Sequence, residues 1–200
     1  SLHDALPIYH AERESFVLYP PPGRPKKGVA SLKLKNIFKG ASTMEKSQDM
    51  KTITVKTPGQ EPYDICLKHS FSDLACELKK LGCEGRRICI VTDSTVAPLY
   101  LAEVKEQVQL CCPAAETYIF EAGEQNKTLA TVQELYKVLI QAGFDRKDYL
   151  LALGGGVTGD LTGYAAATYL RGIRFIQIPT TLLARIDSSI GGKTGVDFDS

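Results

Sequence analysis

Tryptophan is absent from this chain, and only 8% of its residues are aromatic. Proteins that hold single-stranded nucleic acid stack bases on aromatic rings, so that mode of binding has little to work with. An excess of charge of one sign is lacking too. Lys and Arg number 24 against 23 Asp and Glu, a net charge of +1, which gives no bulk attraction to nucleic acid or to a membrane surface. No apolar run is long enough to cross a bilayer, and no charged, apolar and small-residue order at the N-terminus marks a secretory signal. The six cysteines, at 66, 76, 83, 89, 111 and 112, form no C-x-x-C pair and no Cys/His metal spacing. They read as free thiols of a reducing cytoplasm. The three histidines, His3, His10 and His69, all precede the glycine-rich half of the chain. A catalytic or metal-binding histidine is therefore not expected in that half.

What remains is ordinary for a soluble globular protein: 44% apolar and 24% charged residues, in a chain long enough for one or two domains with a real core. Residues 1–49 stand apart. They hold Pro20-Pro21-Pro22-Gly23, then Arg24-Pro25-Lys26-Lys27, then a polar stretch from Ser42 to Asp49. They read as a flexible or foreign extension, or as a basic partner-binding arm, with the domain occupying 50–200.

From Met50 onward strand and helix signals alternate. Strand character marks 52–56, 63–68, 87–92, 117–120, 149–153 and 174–178. Helical patterns mark 71–81, 96–110, 128–142, 157–169 and 180–189. Leu129, Val132, Leu135, Tyr136 and Leu139 recur at spacings of three and four and give one buried face; Thr128 is positioned to cap that helix and Gly143 to end it. Strands alternating with helices predict βαβ units, an α/β fold with a Rossmann-like, mostly parallel sheet and flanking helices.

Ligands of such sheets bind beyond the carboxyl ends of the strands. Asp93, Gly154–Gly156 and Pro179–Thr181 all follow predicted strands, so three separately placed motifs converge on one edge. Gly154-Gly-Gly-Val-Thr-Gly159 satisfies G-x-G-x-x-G between a strand and a helix. A glycine turn there lets a pyrophosphate approach bare N–H groups at the positive end of the helix. The ordinary dinucleotide fingerprint also wants an acid closing the next strand. That strand ends in Gln177-Ile-Pro179, so the ribose-binding acid must come from elsewhere, and Asp93 is available. Gly192-Lys193-Thr194 resembles the end of a P-loop, but Asp187 stands where the first glycine is required. Lys193 remains a phosphate ligand by charge. Glu124-Gln-Asn-Lys127 offers either a grip on ribose hydroxyls or a capping charge pair. Thr180 and Thr181 offer two hydroxyls, of which capping explains one. Arg171 and Arg174 read as a surface pair or, for one of them, an anion contact at the ligand edge.

The stretch from Leu153-Gly-Gly-Gly-Val-Thr-Gly-Asp through Arg171-Gly-Ile-Arg and Pro179-Thr-Thr-Leu-Leu to Asp187-Ser-Ser-Ile-Gly-Gly-Lys-Thr-Gly-Val196 closely resembles 3-dehydroquinate synthase, the second enzyme of the shikimate pathway. The resemblance extends back through Ala122–Thr128 and Val91–Ser94 to about Met50; residues 1–49 do not share it. It implies an NAD-dependent lyase that converts 3-deoxy-D-arabino-heptulosonate 7-phosphate to 3-dehydroquinate and phosphate. A divalent metal, zinc or cobalt, assists. By position it implies Asp93, Glu124 and Lys127 on the adenosine part of NAD. Gly154, Gly155, Gly156 and Asp160 would line the pyrophosphate, and Thr180 and Thr181 the nicotinamide half. Asp187 and Lys193 would face the sugar-phosphate substrate, and Arg171 its phosphate across a homodimer interface. The family's metal ligands, a Glu and two His, belong to a helical domain beyond residue 200. The expectation is a chain not catalytic by itself. Related sugar-phosphate cyclases, glycerol-type polyol dehydrogenases and a non-catalytic nucleotide-binding module are the other readings.

Overall fold

The computed structural model describes residues 14–19, 51–56, 63–68, 70–190, 192 and 194–198. Seven strands form one sheet: β1 (Glu14–Tyr19), β2 (Lys51–Val55), β3 (Tyr63–Lys68), β4 (Ile88–Asp93), β5 (Ala115–Phe120), β6 (Tyr149–Gly154) and β7 (Arg174–Pro179). Their order is β2-β3-β1-β7-β6-β4-β5. The four strands β7, β6, β4 and β5 run parallel; β1 and β3 pair antiparallel with their neighbours. The parallel, Rossmann-like part is thus as the alternation predicts. β4 and β6 sit inside it and are buried along nearly their whole length. That burial on both faces explains their near-continuous apolar sequence.

One element departs from the expected boundary at residue 50. Glu14–Tyr19 is a strand inserted between β3 and β7, with Val17 paired to both Ile65 and Gln177. The run Glu-Ser-Phe-Val-Leu-Tyr is short, and its partners lie about fifty and about 160 residues away, so local pattern gives it no context. The rest of the predicted extension lies outside the described residues.

Helices cover both faces. α1 (Leu74–Lys80) and α2 (Ala102–Gln109) lie on one, where Leu74, Leu78, Val104 and Val108 meet Ile88, Ile90, Leu151, Leu153, Ile176 and Ile178. α3 (Leu129–Gln141) and α4 (Gly156–Thr168) lie on the other, where Val132, Leu135, Leu139, Leu161 and Ala165 meet Cys89, Val91, Leu150 and Phe175. Each fully buried leucine contributes about 2 kcal/mol of apolar transfer. The Lys68 ammonium, 2.9 Å from Glu77 and 3.6 Å from Asp73, ties β3 to α1. Among the described residues no helix is long and apolar enough to cross a membrane.

Three predicted helices are shortened or widened. The first starts at Leu74, where the Leu74 N–H closes a turn on the Phe71 carbonyl at 2.9 Å. The second opens as a π-helical turn, Ala97–Leu101, with a proline in its first positions, before α2. The last is a π-helical turn at Ala184–Ser188. All six cysteines are free; burial pushes the Cys83 and Cys89 thiols up to about 12, which leaves both unreactive.

Candidate functional site

Adjacency of β7, β6 and β4 brings the ends of the three predicted motifs together. Gly154 of β6 stands opposite Pro179 of β7, and Leu153 opposite Thr92 of β4. The Thr180 N–H donates to the Gly154 carbonyl at 2.9 Å, which fixes the two strand ends side by side.

The glycine turn is tight for a specific reason. A Cβ on Gly154 would stand 2.6 Å from the Thr158 Cβ, inside any tolerable contact. On Gly155 it would press the Thr181 methyl at 3.2 Å, and on Gly156 the Ser188 hydroxyl at 3.1 Å. α4 then begins at Gly156 with Gly155 before it and no side chain capping its first turn. α3 differs: the Thr128 Oγ1 accepts from the Thr131 N–H at 3.3 Å. The first N–H groups of α4 lack intrahelical partners, and among the described residues no side chain caps them. Further along, α4 lies close on β7, since a Cβ on Gly159 would be 2.7 Å from the Gln177 Oε1.

Polar side chains gather at this edge. Asp93, the last residue of β4, accepts through Oδ1 from the Thr95 and Val96 N–H groups at 2.9 and 3.0 Å. Through Oδ2 it accepts the Thr158 hydroxyl at 3.1 Å. Beside it, the Ser94 hydroxyl accepts from the Ala122 N–H at 3.0 Å, which draws in the loop after β5. That loop forms a 3-10 turn, Glu124–Asn126, and delivers Lys127. Lys127 lies 3.0 Å from Glu124, 3.2 Å from Asp160 and 3.8 Å from Asp197. Burial works against its ammonium, but the hydrogen bonds and charges of Glu124 and Asp160 prevail and hold its pKa above the ordinary lysine value. Burial pushes the Asp160 carboxyl up; Lys127 pulls it back only in part, and Glu124 and Asp197 add to the rise.

Thr180 and Thr181 divide as the capping argument requires. The Thr181 Oγ1 accepts from the Ala184 N–H at 3.2 Å. The Thr180 Oγ1 is buried and has no partner among the described residues, and the same holds for the Thr92 and Ser188 hydroxyls. Asp187 is exposed on the π-helical turn. Lys193 lies outside the described residues.

Neither arginine reaches the glycine turn within this chain. Arg171 precedes β7 and is exposed at the opposite end of the strand from Pro179. A six-residue strand spans about 20 Å. It sits in a left-handed backbone conformation, φ 71°, beside Leu170 at φ 50°. Arg174 stacks over the Tyr149 ring, 5.1 Å from its centroid, and donates to its hydroxyl. The alternation argument for the ligand edge therefore fails for both: the turn before β7 lies at the amino end of the parallel strands.

Sequence reasoning passed over Thr158 and Asp197. Thr158 was one of the variable letters of the glycine motif, and only its contact with Asp93 reveals it. Asp197 meets Lys127 because the chain folds back: its N–H donates to the Lys127 carbonyl at 2.8 Å, and the Gly195 N–H to the Asp160 carbonyl at 3.3 Å. No group of three or more His, Cys, Asp or Glu suited to a metal ion occurs among the described residues.

Residues 117–200 match the 3-dehydroquinate synthase N-terminal family. The chain is 49% identical over 139 residues to a 3-dehydroquinate synthase of Streptococcus sanguinis, covering 68% of this chain and 38% of that protein. It is 45% identical over 150 residues to that of Latilactobacillus sakei, covering 74% and 42%. It thus spans about two fifths of the length of the curated relatives it matches. Among solved structures, a 2-deoxy-scyllo-inosose synthase superposes with a TM-score of 0.60 at 32% identity, over 64% of this chain and 37% of that one. A 2-epi-5-epi-valiolone synthase of Streptomyces hygroscopicus, with NAD+ and Zn2+ bound, gives 0.53 at 34% identity, over 62% and 35%. Another 2-deoxy-scyllo-inosose synthase, complexed with carbaglucose-6-phosphate, NAD+ and Co2+, gives 0.55 at 34%, over 57% and 32%.

Proposed function

Because the chain belongs to the 3-dehydroquinate synthase family, we propose that it carries the NAD-binding part of an enzyme that converts 3-deoxy-D-arabino-heptulosonate 7-phosphate to 3-dehydroquinate and phosphate. The observation that carries this is the uncapped, glycine-only start of α4 with the partnerless Thr180 hydroxyl beside it. Bare backbone at a positive helix end fits a pyrophosphate. A buried hydroxyl without a protein partner fits a polar group of a ligand. Asp93 fits ribose hydroxyls: an ionised carboxylate offers about four lone-pair sites, and three are taken, leaving one on Oδ2.

The chemistry NAD supplies when bound is uptake of a hydride from a substrate carbinol and its later return. The chain's residues hold and orient. Asp93, Glu124 and Lys127 grip the adenosine ribose. Gly154, Gly155, Gly156 and Asp160 line the pyrophosphate; Lys127 bridges Glu124 and Asp160 and so offsets carboxylate charge that would repel it. Thr180 and Thr181 border the nicotinamide half. Asp187 and Lys193 face the sugar phosphate, and Arg171 of a second copy in a homodimer meets its phosphate. A zinc or cobalt ion is proposed from the related cyclases that hold Zn2+ and Co2+. The described residues bring no three ligands together for it. The reading of the six cysteines as free thiols supports a cytoplasmic location.

A second reading, a sister cyclase acting on another sugar phosphate, is favoured by the superposition on such cyclases. Their identities of 32 to 34% are lower than the 45 and 49% to the synthases. The test is phosphate release by the protein expressed from its whole reading frame, with NAD and zinc. Release from the heptulosonate without net NADH supports the synthase. Release only from a hexose or heptose phosphate supports the sister cyclase. Accumulating NADH points to a polyol dehydrogenase, and NAD binding without turnover of any of these points to a binding module.

A further inference from the structure

We propose that Thr158 is a positioning residue that aims Asp93 at the cofactor while filling the space beside Gly154; this rests on the reading of the glycine turn as an NAD site. α4 holds three threonines. Thr162 and Thr168 bond back to the carbonyls of Thr158 and Tyr164, each at 2.6 Å, the usual outlet for a helical threonine. Thr158 breaks that pattern. The carbonyl four residues before it, that of Gly154, already accepts the Thr180 N–H. Fully buried, the Thr158 hydroxyl donates instead across to Asp93 Oδ2 at 3.1 Å, on a strand 65 residues away in sequence.

Two consequences follow for one side chain. With Oδ1 held by the Thr95 and Val96 N–H groups, the Thr158 bond removes the remaining rotational choice of the carboxylate. The last lone pair of Oδ2 then points in one direction, preorganised for a ribose hydroxyl. The Thr158 Cβ also occupies the room a Cβ on residue 154 would need. The turn that takes the pyrophosphate and the acid that takes the ribose are therefore held in register by a single residue.

The test is calorimetric titration of NAD into the full chain. Thr158→Val keeps the shape and loses the donor; Thr158→Ser keeps the donor. The expected result is about tenfold weaker NAD binding for Thr158→Val, the loss of one hydrogen bond to a charged group, and near-unchanged binding for Thr158→Ser. The loss should vanish in an Asp93→Asn background, and with an NAD analogue lacking the adenosine ribose hydroxyls. Unchanged affinity in Thr158→Val, or an equal loss with and without the Asp93 carboxylate, overturns the proposal. Should the valine variant not fold, Thr158→Ala is read against the same analogue and the same background. Absence of NAD binding by the wild-type chain at millimolar concentration sinks the NAD reading, a separate outcome.

Discussion

The two ends of the parallel strands are built from similar residue types and end in opposite states. At the amino end Asp148, 3% exposed, accepts the Arg87 N–H at 3.0 Å and the Asp145 N–H at 2.8 Å, with the Arg87 guanidinium at 4.0 Å. Tyr149 donates to the Leu81 carbonyl at 2.8 Å and accepts from Arg174. Each of these buried groups has a protein partner. At the carboxyl end the Thr92, Thr180 and Ser188 hydroxyls have none among the described residues, and the first turn of α4 is uncapped. Buried polar groups are normally satisfied, and exceptions call for an explanation. The amino end is organised for stability, and the carboxyl end leaves donors and acceptors for a ligand.

That contrast can be broken by substitution. Asp148→Ala removes the buried acceptor of the Arg87 and Asp145 N–H groups and should cost about 2 kcal/mol, read by urea denaturation, with NAD affinity of the folded protein unchanged. A comparable loss of affinity would mean that the amino end is not purely structural. Gly154→Ala forces a Cβ into Thr158 and should cost about 2 kcal/mol while abolishing NAD binding measurable by calorimetry. Thr180→Val should do the reverse of Asp148→Ala. Removing an unpaired buried hydroxyl leaves stability unchanged or raises it by about 1 kcal/mol, yet NAD binding weakens. A clear loss of stability in this variant would show that the hydroxyl has a structural partner.

The smallest effect concerns Lys127, whose folded pKa is raised. Its contribution is fully present below the ordinary lysine value near 10.4 and is lost as pH climbs through the folded value. Thermal midpoints of wild type and Lys127→Met, followed from pH 9 to 12, should converge as the pH rises. Parallel curves would mean that the three carboxylates around Lys127 contribute nothing in the folded state.

Much of this was legible in the residues. The period of α3, its Thr128 cap and the apolar runs of β4 and β6 depend on neighbours in sequence, and they stand where the pattern puts them. The convergence of Asp93, Gly154 and Thr180 was also legible, because a parallel sheet sends every strand end to one edge. Three things were not. β1 takes its place from pairings with β3 and β7, which no local signal contains. The ligand-edge option for Arg171 and Arg174 failed because alternation along a strand sets its face, not its end. Thr158 and Asp197 acquire meaning only through partners 65 and 70 residues away.

By itself, then, the sequence determined which segments from residue 51 onward are strands and helices, that a glycine turn opens α4, and which chemistry-bearing residues follow strands. These follow from short-range sterics, periodicity and the missing Cβ atoms of glycine. Only the tertiary structure decided which hydroxyls are capped and which are left open. It also decided that Thr158 turns from its own helix to Asp93, and that three carboxylates share one lysine. Each of those depends on what a distant strand or loop places within about 3 Å, a distance set by the packing of the whole sheet.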